Sequence, residues 1–352
     1  MISLRWLLIA APLSWLLAWL GAPAVAVFIT CGLAIIPLAA EMGAATEALA
    51  VRTGPAVGGL LNATFGNAAE LIVAVVALRA GLVDLVKASL VGSILGNLLL
   101  ILGLSLVAGG LRRPTLTFNR TAAGSSGAML LLAVAALVIP ALFAFVHPSA
   151  RPEETLRLSE GVAAVLVVTY GASLAFSLVT HRQLFHGESG GSGHATAPAA
   201  PYSPRVALAI LAGATAFVAI ESEMLVRATE TLVERFGLSQ LFLGLIVIPL
   251  IGNAAEHATA VVVARRGQTD LALHIALGSS TQVALFVAPL LVGVGALLSQ
   301  PMSLVFTGFE VVALGFASLI VTVIALDGES NWFEGAQLLA LYALVALAVW
   351  CI

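Results

Sequence analysis

Long apolar runs dominate the chain. About twenty or more residues at a time carry almost no charge, and short clusters of Gly, Pro, Arg and Asp separate one run from the next. A bilayer core about 30 Å thick is crossed by roughly 20 helical residues. On that measure the pattern predicts eleven spans, at about 4–20, 22–50, 57–80, 83–109, 119–146, 157–181, 205–233, 239–265, 269–298, 303–326 and 332–352. Breakers stand between them at Gly21-Ala22-Pro23, Thr53-Gly54-Pro55, Arg112-Arg113-Pro114, His147-Pro148, Gln300-Pro301 and Asp327-Gly328. The expected fold class is an all-α integral membrane protein with about eleven transmembrane helices.

One stretch departs from this pattern. Between His181 and Arg205 the chain holds the run Gly187-Glu188-Ser189-Gly190-Gly191-Ser192-Gly193 and the prolines Pro198, Pro201 and Pro204, the composition of a flexible linker. Its histidines, His181, His186 and His194, read as solvated linker residues. Taking residues 182–204 as the linker leaves a first unit at 22–181, a second at 205–352 and one extra span at 1–21. Met1 to Leu20, with Arg5 ahead of an apolar run, has the outline of a signal peptide, but it leads into further spans and is read as a retained peripheral helix.

The two units repeat each other. Gly66-Asn67-Ala68-Ala69-Glu70 recurs as Gly252-Asn253-Ala254-Ala255-Glu256, 186 residues later, and Asp84…Gly92-Ser93 recurs at the same offset as Asp270…Gly278-Ser279. Ala45-Thr46-Glu47-Ala48-Leu49 is echoed by Ala228-Thr229-Glu230-Thr231-Leu232. Each unit therefore reads as five helices. Because five is odd, the second copy is expected to cross the membrane upside down, the inverted-repeat plan of many secondary transporters.

Composition supports the membrane reading. Of 352 residues, 61% are apolar and 9% charged, against about 25% charged in soluble domains. The net charge of −3, with no basic or acidic block, gives no sign of a nucleic-acid partner; the lipid bilayer is the partner implied. Cys31 and Cys351 read as small buried hydrophobes. Of the Lys and Arg residues, Arg5, Arg52, Arg112, Arg113, Arg120, Arg182, Arg205, Arg265 and Arg266 fall on the N-terminal side and Arg79, Lys87, Arg151, Arg157, Arg227 and Arg235 on the other. That bias favours a cytoplasmic N-terminus and linker, in a bacterial-type plasma membrane.

The repeated phrase carries the chemistry. A carboxylate within an apolar span is costly and by default functional, and here two are framed identically. Helical spacing places Asn67 with Glu70, and Asn253 with Glu256 and His257. Antiparallel copies bring the two Glu residues together near the midplane. Their oxygens and the Asn carbonyls make a hard donor set suited to Ca²⁺, so Glu70, Glu256, Asn67 and Asn253 are the candidate ligands. No Arg or Lys near them neutralises the pair, which therefore needs a cation or protons, and competition between the two would make an exchanger. Ser93 and Asn97 in the fourth span, and Ser279 and Gln282 in the ninth, are candidates for proton coupling and for hydrogen bonds to the Glu pair, with His257. Glu41, Glu47, Glu223 and Glu230 are candidates to line an access path. Glu221 reads as another such acid; for Glu221 and Glu47 a solvated helix terminus is an equal reading, and Glu310 has no evident role.

These residues resemble the Ca²⁺/H⁺ antiporter family of the cation/calcium exchanger superfamily. The two Gly-Asn-Ala-Ala-Glu phrases, the second running into His257, each precede a Gly-Ser-bearing helix, and the likeness extends from about Ile36 to the last span. The resemblance implies Ca²⁺ export driven by a proton gradient, with Glu70 and Glu256 as shared ligands, no cofactor and no enzymatic step. The sodium-coupled branch typically has Pro before the motif Glu; Ala69 and Ala255 stand there, which favours protons. The linker lacks the acidic segment common in the family. Two alternatives stay open at this point: an exchanger whose main substrate is Mn²⁺ or another cation, and a passive cation channel.

Overall fold

The computed structural model describes residues 4–53, 55–181 and 202–352. The expected linker is thus outside the described residues from 182 to 201, with His186 and His194. In order, the helices are α1 (Arg5–Trp19), α2 (Ala24–Thr53), α3 (Pro55–Phe65), α4 (Ala68–Arg79), α5 (Val83–Gly110), α6 (Arg120–Val146), α7 (Pro152–Thr180), α8 (Pro204–Phe236), α9 (Gln240–Gly252), α10 (Ala254–Arg265), α11 (Thr269–Leu297), α12 (Gly308–Asp327) and α13 (Trp332–Cys351). Among the described residues eight are long and apolar enough to cross a membrane, or nine when α9 and α10, bent by 62°, are taken as one span. The other two expected spans correspond to the short α1 and to the pair α3–α4.

The third and eighth spans were expected as single helices and are instead broken within the repeated phrase. α3 ends at Phe65 and α4 starts at Ala68; α9 ends at Gly252 and α10 starts at Ala254. The residue at each break has nearly the same backbone, φ −100 and ψ 22 for Asn67, φ −97 and ψ 2 for Asn253. Glycine weakens a helix, and an asparagine side chain offers its backbone alternative hydrogen bonds, so Gly-Asn is a local reason to stop.

α5 and α11, which follow the two broken spans, form the centre: 83% of the apolar window of α5 and 61% of that of α11 is buried, against 17% for α7. Each also contains a widened π-helical turn, Gly96–Ile101 in α5 and Val283–Val287 in α11, a device frequent at functional sites. α5 crosses α9 at backbone contact. A Cβ on Gly92 would run into the Leu245 carbonyl oxygen, and one on Gly244 would lie 2.6 Å from the Ala88 Cβ. These two glycines let the helices approach as small residues do in membrane interfaces.

The loops gather on two faces. On one, strands β1 (Leu116–Thr117) and β2 (Glu329–Ser330) pair antiparallel, and the Asn119 amide donates to Asp270 at 2.6 Å. On the other, the segment between α11 and α12 is tied down by Lys87, whose Nζ donates to the Val305 carbonyl at 3.1 Å, and by Ser159, which accepts from the Leu304 amide at 3.0 Å. Glu310 finds its role here. It closes a capping box at the start of α12, accepting from the Thr307 amide at 2.8 Å while its own amide donates to the Thr307 hydroxyl at 3.3 Å. Cys31 is buried as expected, but Cys351, on the final turn of α13, is exposed.

Candidate functional site

Breaking both helices at Asn leaves Glu70 and Glu256 in the first turns of α4 and α10. A helix start carries unpaired N–H groups and a positive dipole end, which favours a carboxylate, while the last turn of the preceding half-helix leaves carbonyls free to face a cation.

The two phrases interlock rather than working separately. Asn253 donates its side-chain N–H to Glu70 Oε1, and Ser93 donates to the same oxygen at 2.5 Å. Asn253 Nδ2 is also 3.3 Å from the Ser93 hydroxyl. Gly252 lies directly against Glu70, since a Cβ added there would sit 3.0 Å from the Glu70 Cγ. In the other phrase, Asn67 donates to Gln282 Oε1 at 2.8 Å and accepts from Ser279 Oγ at 3.2 Å, and Asn97 donates to that same hydroxyl at 3.0 Å. Glu256 neighbours Ser279 and is in electrostatic contact with Glu70. The structure thus brings together Glu70, Glu256, Asn67, Asn253, Ser93, Asn97, Ser279 and Gln282 from α4, α5, α10, α11 and the two breaks. His257 is buried next to Glu256 with its Nε2 unpartnered.

Two atoms test what such a site can hold. Glu70 Oε2 and Glu256 Oε2 are both buried without a hydrogen-bond partner, a costly arrangement for a carboxylate oxygen unless something else occupies it. Among the described residues no group of three or more His, Cys, Asp and Glu could hold a metal, so two carboxylates, supplemented by amide and hydroxyl oxygens, are the charged donors available. That set is all oxygen and suits a hard cation.

The four access-path candidates part company. Glu41 is engaged: Arg5 Nε donates to it at 2.7 Å and the Tyr202 hydroxyl at 2.7 Å, while Arg52 reaches the Tyr202 carbonyl at 3.1 Å. The bond to Glu41 raises the Tyr202 hydroxyl above its ordinary pKa. Glu47 is exposed. Glu223 pairs with Arg79 at 2.7 Å and Arg227 at 3.1 Å, and all three line a cavity with Glu230. Glu41 and Glu223 are thus both ion-paired. Arg5 and Arg79 lie 36 and 144 residues away in sequence, where nothing local announces them, whereas Arg227 is one helical turn on from Glu223. Glu221 is not a solvated terminus; it lies mid-helix in α8 and is fully buried.

Gly252 yields a first prediction. Gly252→Ala will push the Glu70 side chain aside by a few tenths of an ångström, an overpacking effect of about 1–3 kcal/mol. If Glu70 holds a transported cation, the cation concentration for half-maximal transport in proteoliposomes is expected to rise roughly tenfold with the protein still folded. An unchanged value would mean that the Glu70 position is not what the glycine protects.

Interrupted apolar helices meeting at buried carboxylates define a multispan α-helical membrane protein with a polar centre. The chain belongs to the sodium/calcium exchanger protein family, whose model matches residues 23–179 and 206–351. It is 48% identical to the Ca(2+)/H(+) antiporter of Synechocystis sp. over 97% of this chain and 95% of that protein. It is 43% identical to the Ca(2+)/H(+) antiporter ChaA of Bacillus subtilis, covering 97% of each. Among solved structures, native YfkE superposes with a TM-score of 0.86 at 40% identity, covering 99% of this chain and all of that one. The family resemblance drawn from the motifs is borne out.

Proposed function

We propose that this protein exchanges Ca²⁺ for H⁺ across its membrane by alternating access, at one site where Glu70 and Glu256 hold either the cation or protons. The observation that carries the reading is the pair of buried carboxylate oxygens, Glu70 Oε2 and Glu256 Oε2, left without partners at two helix breaks. Relatives bearing the Ca(2+)/H(+) antiporter name at 43–48% identity support the same substrates.

In this reading Asn67 and Asn253 lend carbonyl oxygens to the cation. Ser93, Asn97, Ser279 and Gln282 hold the carboxylates and amides in place, and His257 backs Glu256. The chain crosses eleven times, α1 being peripheral and α2–α7 and α8–α13 forming inverted repeats, with the N-terminus and linker cytoplasmic. The matching breaks at Asn67 and Asn253, and the matching π-helical turns after Ser93 and Gln282, support the repeat. So does the pairing of Thr46 and Thr229, both buried and both donating at 2.8 Å to the carbonyl four residues earlier. The arrangement permits exchange because Ca²⁺ and two protons each cancel the charge of the pair, whereas the empty ionised site is costly in a low-dielectric interior.

The test is Ca²⁺ uptake into proteoliposomes with an imposed pH gradient and an internal pH dye. Uptake should depend on the gradient and move protons the opposite way. Ca²⁺ crossing without proton movement would replace this reading by the channel; Mn²⁺ crossing in place of Ca²⁺ would change the substrate and leave the exchange.

A further inference from the structure

Glu221 stands apart from the exchange site. It is 0% exposed at the junction of α8 with α1 and α2, and Ser14 of α1 and Cys31 of α2, also 0% exposed, face it. Ser14 Oγ lies 3.1 and 2.9 Å from the two carboxyl oxygens and 2.7 Å from the carbonyl of Ala11 in its own helix. One turn away, Phe217 stacks on Trp15 with ring centroids 5.6 Å apart, and the Trp15 indole is within reach of the carboxyl. Cys31 is the one other titratable group there. Among the described residues no Lys, Arg or His from α1, α2, α4 or α8 acts on Glu221; Arg79 and Arg227 are taken by Glu223.

A serine hydroxyl has one proton. Given to the Ala11 carbonyl, the shorter contact, it leaves the Ser14–Glu221 contact in need of a donor, which a carboxyl O–H supplies. An ionised Glu221 would instead be a buried charge with no counter-ion, an expensive state in an apolar interior. We propose that Glu221 is a protonated carboxyl whose O–H donates to Ser14 and fastens α1 to α8, and that it keeps this proton throughout the exchange cycle. It differs from Glu70 and Glu256 in being tied to the peripheral helix rather than to the repeated phrase. Its role is positioning: it holds α1 on a helix of the transport core.

The experiment compares purified full-length wild type, Glu221→Gln and Glu221→Ala. Gln keeps a neutral N–H donor in the same place. Glu221→Gln is expected to unfold at the wild-type temperature and Glu221→Ala about 3 °C or more lower. The infrared spectrum of Ca²⁺-free wild type should contain a protonated-carboxyl stretch missing from Glu221→Gln, and protons released per Ca²⁺ should be equal in the two. Glu221→Gln falling as far as Glu221→Ala, or no difference in the carboxyl band, would overturn the protonated clamp. A changed proton count in Glu221→Gln would show that Glu221 gives up its proton during exchange. The thermal and infrared readings require no transport, so they stand or fall separately from the exchange reading.

Discussion

Replacing Glu70 or Glu256 by Gln will abolish Ca²⁺-driven proton release, each alone and without unfolding the protein. Gln at position 70 keeps the shape of the side chain and an acceptor oxygen for Ser93 and Asn253, both of which donate to Glu70 Oε1. What disappears is the negative charge and the exchangeable proton. A Ca²⁺ ion held by two carboxylates and neutral oxygens would then carry an uncompensated positive charge in a buried site, so its affinity is expected to fall by more than a hundredfold, about 3 kcal/mol or more. The folded state has the opposite interest: removing a buried charge that has no cationic partner leaves stability unchanged or slightly raised. Loss of exchange with an unchanged melting temperature is therefore the expected signature. Normal transport in both variants would remove the site from consideration, and loss of one variant's fold would mark that carboxylate as structural.

Much of this site was legible because two copies were present to compare. One Gly-Asn-Ala-Ala-Glu phrase is a weak signal; two in register, each followed by a Ser-bearing helix at the same offset, single out Glu70, Glu256, Ser93 and Ser279 without any structure. Asn97 and Gln282 were legible for a different reason: they are amides in otherwise apolar helices, and both proved to be hydrogen-bonded to the repeated phrase or its partners.

The sequence hid what depends on helix continuity and on distant pairing. Glu70 was expected to share a helical face with Asn67, whereas the helix stops at Asn67 and the Asn that reaches Glu70 is Asn253, from the other repeat. The apolar run continues across each break, so hydropathy cannot register it. Glu41 and Glu223 were read only as acids bordering a path; Arg5 and Arg79 came to them through tertiary packing, while Arg227, four residues after Glu223, was a local partner within reach of a sequence reading. Glu310 was different. Thr307-x-x-Glu310 is a capping-box pattern, and it was concealed only by placing the start of the tenth span at about residue 303 instead of Gly308.

The apparent Ca²⁺ affinity will rise with pH, with a limiting slope close to two. If Ca²⁺ binds where two carboxyls each held a proton, binding releases both, and linkage makes the logarithm of the apparent association constant rise by the number of protons released per pH unit. The expected change is thus about a hundredfold per pH unit while both carboxyls are protonated, flattening at higher pH once both are ionised. The sign follows from competition: in the proposed mechanism, lowering pH restores protons to Glu70 and Glu256 and expels the cation. Two protons for one Ca²⁺ would also leave the pair neutral in either loaded state, so that neither half of the proposed cycle would carry net charge through an interior whose central helices are mostly buried. Equilibrium binding to the detergent-solubilised protein over a pH series measures the slope directly. A limiting slope of one would mean that only one carboxyl exchanges its proton while its partner stays fixed in charge. A flat profile would show that Ca²⁺ and H⁺ do not share these oxygens, and the exchange mechanism would have to be sought elsewhere in the chain.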